Sequence, residues 1–118
     1  MVAALVAGAT GYLYFVIDPT FKKGPVKRAT IEVEYLDPWP GVLGVQYDAS
    51  RWKGIPNPTY AQASQTVSLT GSKTWQTATF RLDHARFKNA QNSGADFRLW
   101  VSPPDLYVRR VTVTRSAP

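Results

Sequence analysis

The chain has 118 residues, a length that suits one hydrophobic core and is too short for two independent ones. Its 44% hydrophobic and 13% aromatic content excludes a disordered tail, while 19% charged residues disfavour a coiled coil or charged helical bundle and nine prolines with eight glycines would interrupt helices. No cysteine is present and His84 is the single histidine, which removes disulfides, thiolate metal sites, cysteine nucleophiles and His-pair metal sites within one chain.

Fourteen basic against eight acidic side chains give a formal charge of +6, which raises polyanions as partners. The cations are scattered, from Lys22, Lys23, Lys27 and Arg28 to Arg109, Arg110 and Arg115, and none forms a basic arm. A solvated surface is favoured over a stripe that tracks phosphates, so nucleic acid is disfavoured as a partner.

Met1 to Ile17 carries no charge, yet it is short for a membrane span and is interrupted by Gly8, Thr10 and Gly11. No basic residue precedes its apolar part, so it does not read as a signal peptide either, and no membrane partner is expected. The sequence is read as a single domain, 1–118, excised from a longer processed protein, with 1–11 a partial first strand or the edge of the piece.

Alternating apolar residues and regular turn signals predict strands at Tyr12 to Asp18, Ala29 to Leu36, Val42 to Tyr47, Thr66 to Leu69, Trp75 to Leu82, Asp96 to Val101 and Leu106 to Thr114. The period of two turns Leu13, Phe15 and Ile17 inward, then Ile31, Val33 and Tyr35, then Leu43, Val45 and Tyr47. Val67 and Leu69 follow, then Phe80 and Leu82, Phe97, Leu99 and Val101, and Leu106, Val108, Val111 and Val113. Between these lie a turn at Asp37-Pro38-Trp39-Pro40-Gly41, a long irregular segment from Asp48 to Thr59, and Asp83 to Phe87, predicted as one helical turn tucking Phe87 under a sheet. Short strands at this spacing with no helical period predict an all-β, two-sheet antiparallel β-sandwich of the jelly-roll type, with a small barrel as the alternative.

A set of segments in this order carries a family resemblance: Tyr12-Leu13-Tyr14-Phe15, Ile31-Glu32-Val33-Glu34-Tyr35, Gln46-Tyr47-Asp48, and Lys73-Thr74-Trp75-Gln76-Thr77-Ala78-Thr79-Phe80. Ala85-Arg86-Phe87, then Gln91 through Arg98, Asp105 through Arg109, and Val111-Thr112-Val113 complete it. The chain resembles the β-jelly-roll accessory domains, such as carbohydrate-binding modules, of bacterial secreted glycoside hydrolases, over about Tyr12 to Arg115. The resemblance implies a non-catalytic, extracellular module whose partners are a plant or bacterial polysaccharide and the catalytic domain of a parent enzyme. A structural sandwich that packs on that domain without binding sugar is the alternative.

The residues are consistent with a non-catalytic role. Glu32 and Glu34, the only glutamates, lie two apart on one strand and point the same way, whereas a glycosidase pair must flank the scissile bond. Asp83-His84 has no evident nucleophile beside it. No cofactor is required, and a structural calcium drawing on Asp18, Asp48, Asp96 and Asp105 is one reading that the fold resemblance allows. At Val16-Ile17-Asp18-Pro19 the chain departs from the more acidic strand end of the family, which argues against carrying a calcium site over there.

Aromatic rings on loops or outward strand positions are the residues expected to stack on sugar rings, with Arg and Gln side chains bonding the hydroxyls. Trp39, Trp52 and Tyr60 fall in predicted loops, and Arg98 and Trp100 take the outward positions of their strand; Gln46 is an amide candidate. If Ser102 to Asp105 closed a simple hairpin, Trp100 would face Tyr107 and Arg98 would face Arg109. Trp75, at a strand start, is expected to be structural.

Overall fold

The computed structural model describes residues 4–6, 11–22, 26–52, 54–102 and 106–115, which form nine strands and two single turns of 3₁₀ helix. The strands are β1 (Ala4–Val6), β2 (Tyr12–Val16), β3 (Arg28–Leu36), β4 (Pro40–Tyr47), β5 (Ala61–Gln62), β6 (Val67–Thr70), β7 (Trp75–Asp83), β8 (Phe97–Ser102) and β9 (Tyr107–Arg115). One sheet runs β1-β2-β8-β4-β5, with β6 also on β4, and the other runs β7-β3-β9; all pairs are antiparallel. Among the described residues no helix is long and apolar enough to cross a membrane.

The predicted inward residues line the space between the sheets. Phe15, Ile17, Leu43, Val45, Tyr47, Leu69, Phe97 and Leu99 come from the larger sheet, and Ile31, Val33, Tyr35, Phe80, Leu82, Val111 and Val113 from the smaller. Phe15 and Phe97 stack with centroids 5.0 Å apart. Leu13, Val67, Val101, Leu106 and Val108 close the rim of this core. The strand period survives because each sheet has one wet face and one dry face.

Two expectations are corrected. The segment from Asp83 to Phe87 contains no helical turn: Ala85 bridges Ala49, and His84 and Phe87 take left-handed backbone at φ 58° and 53°. Phe87 is nevertheless buried, as expected. The strand β8 and β9 do not form a hairpin, since they belong to different sheets, so Trp100 does not face Tyr107 and Arg98 does not face Arg109. Asp105, in the connection between them, lies outside the described residues.

Buried aspartates organise the loops. The Asp37 carboxylate accepts from the Thr70 and Gly71 amides and the Ser72 hydroxyl, tying the β3–β4 connection to the turn after β6. Asp48 accepts from Arg86 Nε and Nη2 and from the amides of Lys88 and Ala90. Asp96 accepts from the Ile17 and Asn89 amides, the Asn89 side-chain amide and the Lys22 ammonium. Asp48 and Asp96 thus hold the segment from Arg86 to Asp96, in which Phe87, Asn89 and Ser93 adopt positive φ, a conformation that costs roughly 1–2 kcal/mol for each non-glycine residue.

Burial alone would raise the Asp37 carboxyl, but the hydrogen bonds from Ser72 and the backbone outweigh it and hold the group below the ordinary carboxylate range. A carboxylate lowered in the folded state stabilises the protein above its unfolded value, and that contribution is lost as pH falls through the folded value. Asp37→Asn is therefore expected to cost about 1–3 kcal/mol at neutral pH and to flatten the loss of stability below about pH 4. Urea midpoints of both proteins across the acid range measure this.

Candidate functional site

The wet face of the larger sheet carries two cross-strand rows. Tyr14 on β2, Arg98 on β8, Gln46 on β4 and Gln62 on β5 are in register in the first, and Tyr12, Trp100 and Gly44 in the second. Because the inward positions of these strands are apolar, the same period that builds the core forces this polar and aromatic set outward.

Arg98 is the centre of the face. Its guanidinium carbon lies 4.0 Å from the Tyr12 ring centroid and 4.1 Å from that of Tyr60, so the cation sits between two rings. Nε donates to Gln46 Oε1 at 2.7 Å and Nη1 to the Tyr14 hydroxyl at 2.8 Å. Stacking and charge-assisted hydrogen bonds together fix the plane of the guanidinium. Tyr60 is held in turn by Asn92, donating its hydroxyl to Asn92 Oδ1 at 2.8 Å and accepting from the Asn92 amide at 2.9 Å. Asn92 belongs to the segment anchored by Asp48 and Asp96, so those buried carboxylates set the position of a ring on the surface.

Trp100 crosses Gly44 so closely that a Cβ on that glycine would fall 2.4 Å from indole Cε2. Its Nε1 donates to Gln62 Oε1 at 3.1 Å. Only a residue without a side chain leaves room for the ring over β4.

Two cavities open on this face. One, of about 450 Å³, is lined by Gly11, Tyr12, Gln46, Gln62, Trp100, Val101 and Ser102. The other, of about 400 Å³, is lined by Gln46, Trp52, Ile55, Tyr60, Gln62 and the neighbouring loop residues. Gln46 and Gln62 line both, so the two adjoin at these amides as a two-part cleft with Trp100 at one end and Trp52 at the other. Its described lining contains no Asp, Glu, His, Lys or Arg. Such a cleft offers apolar ring surface and neutral donors and acceptors, and Arg98, which lines neither cavity, stacks on the Tyr12 ring of one and the Tyr60 ring of the other.

Of the sequence candidates, Trp100, Arg98, Gln46, Tyr60 and Trp52 are brought together here. Trp39, 54% exposed, follows β3 and lines neither cavity, and Tyr107, 63% exposed, lies on the other sheet opposite Leu36. Trp75 also lies on that sheet, with the Arg109 guanidinium 4.3 Å from its ring centroid and Arg109 Nε bonded to Glu34 at 3.0 Å. Tyr12, Tyr14, Gly44 and Gln62 complete the site. The alternation that turns Leu13 and Phe15 inward already turns Tyr12 and Tyr14 outward, whereas nothing in the sequence marks Gln62, whose strand has two residues.

Of the aspartates considered for calcium, Asp48 and Asp96 are neighbours, the Asp48 amide donating to the Asp96 carbonyl at 2.8 Å. Asp48 is occupied by Arg86 at 2.6 Å and Asp96 by Lys22 at 2.9 Å. Asp18 accepts from the side chain and amide of Thr20, which lowers its pKa. A calcium ion at Asp48 or Asp96 would have to displace a cation of the chain itself. Among the described residues no group of three or more His, Asp or Glu side chains converges.

No family model and no curated protein matches the chain. Among solved structures it is similar to the apo form of a module named BiXyn10A CBM1, with a TM-score of 0.53 and 11% identity, over 98% of this chain and 82% of that one. It is also similar to the carbohydrate binding module CBM6cm-2 from Cellvibrio mixtus lichenase 5A, solved in complex with cellotriose, with a TM-score of 0.45 and 14% identity, over 90% of this chain and 71% of that one. The likeness to the first shows the fold: the chain is an all-β sandwich with the architecture of a carbohydrate-binding module.

Proposed function

We propose that the chain is a non-catalytic carbohydrate-binding module that holds a polysaccharide segment in the cleft between Trp100 and Trp52. The observation that carries this reading is the cleft itself, where aromatic rings flank the amides of Gln46 and Gln62, with the Tyr12 and Tyr60 rings held by the Arg98 guanidinium stacked on them. Sugar rings present apolar C–H faces and a rim of hydroxyls, which match that arrangement. A role without catalysis is supported by the lack of carboxylates in the described lining; Glu34 is engaged with Arg109 and Arg110 on the opposite sheet. In this reading the module is a secreted part of a glycoside hydrolase, to which it lends effective concentration at a plant or bacterial polysaccharide.

A structural sandwich packing on a catalytic domain is the second reading, favoured by the exposure of Trp39 and Tyr107 away from the cleft. Affinity electrophoresis against xylan, mixed-linkage glucan, mannan, pectin and alginate, with a cellulose pull-down, separates the two. The module is expected to be retarded by at least one glycan, and Trp100→Ala to weaken that binding about tenfold or more, equivalent to about 1.4 kcal/mol. No retardation by any glycan would reject the module and favour the docking sandwich.

A further inference from the structure

Trp52 has a second neighbourhood. Its indole stacks on the His84 imidazole, with centroids 4.4 Å apart and planes 17° from parallel. His84 in turn lines a third cavity of about 530 Å³, together with Lys27, Arg28, Ser50 and Asp83. The stacked pair is therefore a wall between the neutral cleft and a charged pocket.

The backbone of that pocket is fixed where three chain segments meet. The Ser50 amide donates to the His84 carbonyl at 2.7 Å, the Ala85 amide to the Lys27 carbonyl at 2.9 Å, and the Tyr47 hydroxyl to the Asp83 carbonyl. Lys27 and Arg28 bring two positive charges against one from Asp83, leaving one in excess. The Arg28–Asp83 pair spans 3.5 Å with both side chains more than half exposed, a contact that water and salt weaken easily. Arg28 is thus free to exchange that partner for a better one.

We infer that this pocket takes a carboxylate carried by the glycan, so that the module selects chains in which a uronic acid unit stands next to the neutral sugars of the cleft. The inference rests on the carbohydrate-binding reading above. A guanidinium and an ammonium beside a serine hydroxyl match the oxygens of a carboxylate, and the shared aromatic wall places the charged unit beside the stacked one. The weak Asp83 contact acts as a placeholder that the ligand displaces.

The test compares glucuronic acid-substituted xylo-oligosaccharides with their carboxyl-reduced counterparts by titration calorimetry, on the wild type, the Lys27→Ala/Arg28→Ala variant and Asp83→Asn. The wild type is expected to bind the acidic form about tenfold more tightly at low salt, with the preference shrinking as salt screens it. Lys27→Ala/Arg28→Ala should lose the preference and keep its affinity for the reduced form, while Asp83→Asn should bind the acidic form several-fold more tightly. Equal binding of both forms by the wild type would overturn the pocket while leaving the cleft reading intact. Binding of neither form, with the polysaccharide panel also negative, would remove both. Equal competition by a sulfated oligosaccharide or by duplex DNA would overturn carboxylate selection in favour of general attraction to anions.

Discussion

Lys22→Met is expected to destabilise the protein by about 3–5 kcal/mol, because it leaves the fully buried Asp96 carboxylate without its cation. The Ile17 and Asn89 amides and the Asn89 side chain would still donate to Asp96, but none of them carries charge. On the usual scaling for a domain near this size the midpoint falls by about 4 °C per kcal/mol, so a drop of roughly 12–20 °C is expected by calorimetry. Adding Asp96→Asn to the variant should recover part of the loss, since a neutral amide is cheaper to bury than an unpaired charge. A loss under about 1 kcal/mol would mean that the neutral donors alone support the carboxylate. The consequence reaches the surface, because Asp96 anchors the segment whose Asn92 orients Tyr60.

Gly44→Ala is expected to abolish the Trp100 wall of the cleft while leaving the sandwich folded. The added methyl would meet the indole at 2.4 Å, well inside contact distance, so the ring has to leave β4 and its bond to Gln62 breaks. Overpacking of this kind costs about 1–3 kcal/mol, a loss that a domain of ordinary stability survives. Glycan affinity should fall as far as in Trp100→Ala, about tenfold to a hundredfold. The double variant Gly44→Ala/Trp100→Ala should be more stable than Gly44→Ala alone, because the clash is gone. Retained affinity in Gly44→Ala would show that the indole position over Gly44 is not the one the ligand uses.

The strands and the core were legible in the sequence because each sheet has one dry face, and alternation reports that directly. Leu43, Val45 and Tyr47 point inward for the same reason that Gly44 and Gln46 point outward, and Asp96 to Val101 sends Arg98 and Trp100 to the wet side. Alternation holds for any antiparallel partner. It therefore says which face a residue takes and nothing about which strand lies beside it.

Pairing is where sequence reasoning stopped. Adjacency in the chain suggested that Trp100 would meet Tyr107, whereas β8 lies between β2 and β4 and β9 joins the other sheet. Trp100 instead meets Tyr12 and Gly44, residues 88 and 56 positions away (100 − 12 and 100 − 44). The left-handed turns at His84 and Phe87 were equally hidden, since bonds from distant parts of the chain hold them: the Ser50 amide to the His84 carbonyl, and the Phe87 amide to the Asp48 carbonyl.

Composition and periodicity by themselves determined an all-β chain with a defined dry core and an outward set of rings, because burial of apolar side chains on a pleated strand is a local rule. Only the tertiary structure decided that Tyr12, Tyr60, Arg98 and Trp100 share one face and that Trp52 joins a neutral cleft to a basic pocket. Contacts between residues far apart in sequence depend on strand order and loop closure, which no local pattern encodes.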